Sequence, residues 1–267
     1  MLDNGATIAG QDSEIQFADM FPLVQRVRDF LMQRQESIAR SKAPLKIDAL
    51  SQKFGFSLHR NNNPEIILAR DVAVELGHPS TASRAIVLIT QKPQCLVNGQ
   101  ISVVGPDLDG MDRNVNHAFA QVVMLGINKY NPPNPFHLGN TQYLFNRLPG
   151  YMVRSVPGRL WVRISNRCME KGMRLAIVGS ALIAAYTNDF AAVESIEIVF
   201  VTQSREDVES LNQIATEANI LLGNHKKLVL GAQGEIECSE LNCETCDEKP
   251  VCDNLRDIVI KRRRYRK

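Results

Sequence analysis

Residues 160–179 read LWVRISNRCMEKGMRLAIVG, and residues 195–201 read SIEIVFV. These two stretches decide the fold. Residues 160–164 have the composition of a strand. Residues 175–190 follow as a helix carrying Gly179, Ala181, Ala184 and Ala185. Such small side chains permit close packing against a sheet. SIEIVFV is rich in β-branched and aromatic residues and predicts a second strand. Residues 205–222 then predict another helix, with Ser204 as its cap. Strands alternating with helices place the chain in the layered α/β or α+β classes.

Upstream, short apolar runs are separated by Gly and Pro. Residues 66–76, RAIVLIT at 84–90, and 100–104 before Gly105-Pro106 predict strands. Residues 118–127 form a mostly apolar segment, and its type is ambiguous from the pattern alone. Residues 131–135 (NPPNP) form a rigid loop. Nearer the N-terminus, Met20, Val24, Val27, Phe30 and Leu31 recur at helical spacing, so residues 19–40 predict an amphipathic helix. Asp19 can cap it, and Pro22 is tolerated in its first turn. Residues 41–58 read as a linker with a short helix, and Asn61-Asn62-Asn63-Pro64 as a break. The expected fold is α+β, with mixed α/β layers: a mixed sheet with packed helices, an N-terminal helix and a C-terminal cysteine-rich metal-binding tail. The expected division is a helical segment at 1–60, a central domain at 61–230, and a four-cysteine segment with a basic tail at 231–267.

The chain has 267 residues, 44% of them hydrophobic, which suffices for a substantial core. A net charge of +2 makes no case for nucleic acid as a partner. No apolar run approaches the roughly 18–20 residues a membrane-spanning helix needs. Residues 1–13 are polar and lack the basic and apolar regions of a signal peptide, so a cytoplasmic location is expected. Lys261, Arg262, Arg263, Arg264, Arg266 and Lys267 crowd the C-terminus. They read as a solvated tail that aids solubility, or as a dock for an acidic electron-transfer partner.

Four of the six cysteines lie together in the pattern C-x4-C-x2-C-x5-C: Cys238, Cys243, Cys246 and Cys252. A dense cysteine cluster in a cytoplasmic chain points to metal rather than disulfides. Four thiolates satisfy either a [4Fe–4S] cluster or tetrahedral Zn²⁺. Zinc knuckles usually pair two close cysteine pairs. Here one close pair has a single cysteine on each longer arm, which suits a cubane better. Cys95 and Cys168 stand apart in apolar or strand-like surroundings and read as buried, inert thiols.

Three stretches carry a more specific signal: DVAVELGHP at 71–79, VVGPDL at 103–108, and above all residues 160–179. In order and spacing they resemble the middle domain of the acetyl-CoA synthase and acetyl-CoA decarbonylase/synthase β subunit family. That family follows a W-V-R-I strand with K-G-x-R-L-x-x-x-G and a helix. Trp161, Arg163, Ile164, Lys171, Gly172, Arg174, Leu175 and Gly179 hold those places here. The resemblance covers about residues 65–222. It implies a subunit of a multi-subunit CO dehydrogenase complex in anaerobic one-carbon and acyl-CoA metabolism. It also implies a surface handling coenzyme A or a CoA ester, made by Trp161 with Arg154, Arg159, Arg163 and Arg174, and with Arg147 nearby. The chemistry is apt, because arginines pair with phosphates and an indole stacks on adenine. The competing reading is a core tryptophan with arginines on a solvated face.

The family's nickel-containing A-cluster uses a Cys-Gly-Cys chelate, which this sequence lacks. The resemblance therefore does not extend to methyl and carbonyl condensation, and the four-cysteine tail is expected to stand where that domain would follow. Three functions stay open: an accessory or electron-transfer iron–sulfur subunit, a CoA-dependent transferase subunit with a catalytic cluster, and a zinc-knuckle assembly module. The five histidines show no ligand spacing, and His78 reads as part of a turn. Asp107 and Asp109 read as turn caps.

Overall fold

The structure is a computed structural model. It describes residues 18–59, 65–128, 135–143, 145–156, 158–222, 229–230 and 236–237. The chain divides into two compact units, Met1–Leu222 and Gly223–Lys267.

The first unit is built on a five-stranded sheet. Its strands are β1 (Ile38–Lys42), β3 (Ser83–Thr90), β4 (Gln100–Val104), β5 (Phe119–Ile127) and β8 (Val193–Val201), in the order β1-β4-β8-β5-β3. The sheet is mixed. β4 runs parallel to β8 and β3 parallel to β5, while β1–β4 and β5–β8 are antiparallel. β5 settles the ambiguous segment: all nine of its residues are buried. A strand covered on both faces shows no alternation, so its type could not be read from periodicity.

Helices cover both faces. α1 (Phe21–Met32) packs on β3, as do α6 (Arg205–Ser210) and α7 (Asn212–Leu221). α5 (Leu175–Asp189) packs on β4 and β8, where Gly179 lies so close to Ile101 that a Cβ would strike its side chain. Arg28 of α1 reaches Glu197, whereas Ile101 is the register partner of Ile198. Glu197 and Ile198 are consecutive in β8 and point to opposite faces, so α1 and α5 lie on opposite sides of the sheet. Ser204 caps α6 as expected, its hydroxyl accepting from the Asp207 N–H. No helix among the described residues is long and apolar enough to cross a membrane.

The N-terminal helix is shorter than its expected span of residues 19–40. It ends at Met32, and residues 38–42 instead form β1, the edge strand beside β4. The apolar repeat stops at Met32, and Gln33 to Ser37 offer no residue to a helical stripe. The strand exists because it pairs with β4, a partner remote in sequence. Asp19 accepts from the Phe21 N–H at 3.0 Å, just before the first turn. α2 (Ile47–Phe54) is the short helix expected within residues 41–58, closed by Gly55 at φ 71°.

One buried carboxylate yields a stability prediction. Glu197 is 3% exposed; it accepts from the Val97 N–H and the Gln100 amide, each at 3.2 Å. Burial raises its pKa, opposed by the Val97 hydrogen bond and then by Arg28 and Arg40. A carboxyl that is harder to ionise in the folded state destabilises that state above its unfolded pKa, and the loss disappears as pH falls. Glu197→Gln is therefore expected to be more stable than wild type at pH 7.5. Urea unfolding at stepwise lower pH should show the gap closing; a gap that widens toward acid would contradict this.

A second, smaller sheet carries the candidate site. It consists of β2 (Val72–Leu76), β6 (Tyr151–Val156) and β7 (Arg159–Ser165), all antiparallel, in the order β2-β7-β6. Its central strand β7 alternates cleanly: Leu160, Val162 and Ile164 are fully buried, while Arg159, Trp161 and Arg163 are half-buried on the other face. β7 leads into α4 (Asn166–Glu170) and then α5.

Within the second unit, Val229–Leu230 and Ile236–Glu237 form an antiparallel pair. The predicted metal ligands Cys238, Cys243, Cys246 and Cys252 lie outside the described residues.

Candidate functional site

The half-buried face of the small sheet gathers four of the five residues that the resemblance singles out. Arg154 of β6 is the direct cross-strand partner of Trp161. Its guanidinium carbon lies 5.5 Å from the indole centroid, and that of Arg163 lies 4.9 Å away. Both distances are in the range where a guanidinium is attracted to an indole face. Arg159 shares the face by alternation along β7. The ring is thus neither a packed core residue nor a bare surface one.

The structure adds two residues to this group. Glu75 of β2, the register partner of Arg163, accepts a hydrogen bond from the Trp161 indole N–H. The same oxygen lies 3.5 Å from Arg163 Nε, an ion pair without hydrogen-bond alignment. The Arg163 Nη1 donates to the Ile67 carbonyl at 3.2 Å. The His78 ring meets the indole edge-on, with centroids 5.3 Å apart and planes at 88°. His78 Nδ1 is 3.1 Å from the Ser80 N–H and 2.7 Å from its hydroxyl, so the histidine does shape its turn while walling the site. Glu75 lay within DVAVELGHP, but its pairing spans 86 residues and left no local signal.

Arg174 and Arg147 sit in other surroundings. Arg174 precedes α5 and pairs with Asp109. Asp107 beside it is the cap expected from its place after Gly105-Pro106: its carboxylate accepts from Leu108 N–H at 2.7 Å and Leu175 N–H at 2.8 Å. Arg147 is 5% exposed and holds Asp189 at 2.6 Å. Cys168 is buried, as expected, and donates its thiol hydrogen to the Pro149 carbonyl. Burial pushes that thiol's pKa up, so it stays protonated and a poor nucleophile. Cys95 is only partly buried. Among the described residues, no group of three or more His, Cys, Asp or Glu is placed to hold a metal ion.

The face around Trp161 presents the guanidiniums of Arg154, Arg159 and Arg163 beside the carboxylate of Glu75. This is the chemistry of a surface that takes a flat ring bearing anionic groups. It stands on a mixed α/β domain. A sequence model described as the CO dehydrogenase/acetyl-CoA synthase complex beta subunit matches residues 56–208, more than half of this chain. The chain belongs to that family. Among its relatives, the acetyl-CoA decarbonylase/synthase complex subunit beta of Archaeoglobus fulgidus is 26% identical over 165 residues, 61% of this chain and 31% of that protein. The subunit beta of Methanopyrus kandleri is 27% identical over 149 residues, covering 55% and 32%. Subunit beta 1 of Methanocaldococcus jannaschii is 22% identical over 174 residues, covering 64% and 23%. The chain thus spans a third or less of the length of these relatives.

Proposed function

We propose that this chain is an accessory subunit of an acetyl-CoA decarbonylase/synthase-type complex that binds coenzyme A or a CoA ester at Trp161. The observation that carries this reading is the placement of two guanidiniums within 5.5 Å of the indole, with Arg159 on the same face. An adenine ring can stack on the indole while the diphosphate pairs with arginine forks. Glu75 neutralises part of the face in the free protein and must yield to an incoming phosphate.

Trp161 is the only tryptophan, so its fluorescence reports the site directly. Titration of the full chain with coenzyme A is expected to give saturable quenching. Arg154→Ala should raise the Kd about tenfold through loss of a charge-assisted contact. Absence of quenching would overturn the reading.

The second part of the proposal is a [4Fe–4S] cluster on Cys238, Cys243, Cys246 and Cys252, used for electron transfer to a partner. Its support is the donor set: four soft thiolates within fifteen residues, one pair at C-x2-C spacing. Bound there, the cluster would supply one-electron chemistry. Anaerobic purification with iron, sulfide, nickel and zinc analysis, plus electron paramagnetic resonance, tests it. A reducible cubane without nickel is expected. Stoichiometric zinc without visible absorbance would replace the cluster by a zinc knuckle.

A further inference from the structure

Arg84 and Arg159 form a second basic pair beside the tryptophan site. Arg84 is the second residue of β3 and Arg159 the first of β7. The two strands are stitched together at this point. Ser83 Oγ donates to the Leu160 carbonyl at 2.6 Å and accepts from the Leu160 N–H at 3.0 Å. The Ala85 N–H reaches the Gly158 carbonyl at 3.2 Å. The two guanidiniums then bind carbonyls two residues apart in one segment: Arg159 Nη2 on Thr81 at 2.7 Å and Arg84 Nη1 on Ser83 at 2.6 Å. Arg84 Nε donates to the Asn212 side-chain carbonyl.

All of these anchors are neutral. Among the described residues, neither arginine is in an ion pair. The nearby carboxylate of Glu209 is instead held by Arg205 at 2.8 Å. Burial, and next the charge of Arg159, lower the Arg84 pKa, against a smaller pull from Glu209. Like charges so close repel, and a guanidinium offers five donors, of which these contacts use few. An anion with several oxygens relieves the repulsion and takes the remaining donors.

We propose that Arg84 and Arg159 form a phosphate-monoester subsite adjoining Trp161. Arg159 and Trp161 point to one face of β7, one strand repeat or roughly 7 Å apart. In coenzyme A the 3′-phosphate hangs from the ribose that carries adenine. With adenine on Trp161, that phosphate falls to Arg159 and Arg84, and the diphosphate falls to Arg154 and Arg163. This assignment rests on the coenzyme A reading above and gives Arg84 a role that no motif suggested.

Calorimetric titration of the full chain with coenzyme A and with dephospho-coenzyme A tests it. Wild type is expected to prefer coenzyme A by about tenfold, the worth of one charge-assisted contact. In Arg84→Gln and in Arg159→Gln the ratio should fall toward one, with Arg84→Lys intermediate. The Arg159 variant leaves the Asn212 contact of Arg84 intact, so it carries the test if Arg84→Gln loosens α7. If Arg84 merely ties β3 to α7, the preference persists in both Gln variants, and that result overturns the subsite. So does a wild type that binds both ligands equally. A wild type that binds neither removes the coenzyme A reading and the subsite together.

Discussion

Gly77→Ala is expected to lower the unfolding free energy by about 2–5 kcal/mol, combining a left-handed backbone penalty with a steric clash. Gly77 has φ 65°, and a Cβ there would drive into the Leu160 carbonyl oxygen and sit 2.8 Å from Ser83 Oγ. The obstacle is backbone of the central strand β7, so no side chain can swing aside. The same turn sets His78 against Trp161. Urea unfolding followed by Trp161 emission reads both consequences: a lower midpoint, and a shifted native emission as the histidine leaves the indole edge. A variant with wild-type stability would show that the turn can relax away from β7.

Asp189→Ala is expected to cost about 3–5 kcal/mol, because it leaves a buried guanidinium without its carboxylate. Arg147 is 5% exposed, and among the described residues its Nη1 has no hydrogen-bond partner even in the wild type. Its other terminal nitrogen bonds Asp189, the last residue of α5, at 2.6 Å. Removing the charge as well should recover most of the loss, so Arg147→Met/Asp189→Ala is expected to be more stable than Asp189→Ala alone. Denaturant midpoints of the two single variants and the double variant give the coupling directly. Additive effects would mean that water reaches Arg147 and takes over from Asp189.

These two sites show how a motif divides between architecture and function. Gly77 and His78 belong to one short stretch, DVAVELGHP, yet the glycine serves strand packing and the histidine the ligand face. Arginines near Trp161 in sequence divide likewise. Arg154 and Arg163 reach the indole, Arg147 is a buried structural cation, and Arg174 pairs with Asp109. Sequence proximity cannot sort them, because strand alternation and the turn before β6 send neighbouring side chains to different environments.

The sequence by itself determined the layered α+β class and the strand–helix–strand–helix order from β7 onward, although α4 precedes α5 and the last expected helix divides at Leu211 into α6 and α7. Those elements carry their own local signals: β-branched runs, small residues on α5, and Ser204 as a cap. It also determined the family, through residues 160–179, and the cysteine spacing that makes a metal segment the natural proposal. Tertiary structure alone decided the rest. β1 replaced the tail of the expected helix because β4 pairs with it across the sheet. β5 became a strand although its mostly apolar pattern suits a helix equally, since only its two covered faces distinguish them. Glu75 met Trp161 through a hydrogen bond spanning 86 residues, and Arg84 came within electrostatic reach of Arg159, 75 residues on. Such pairs depend on strand order and register, which arise from long-range burial rather than from any local pattern of residues.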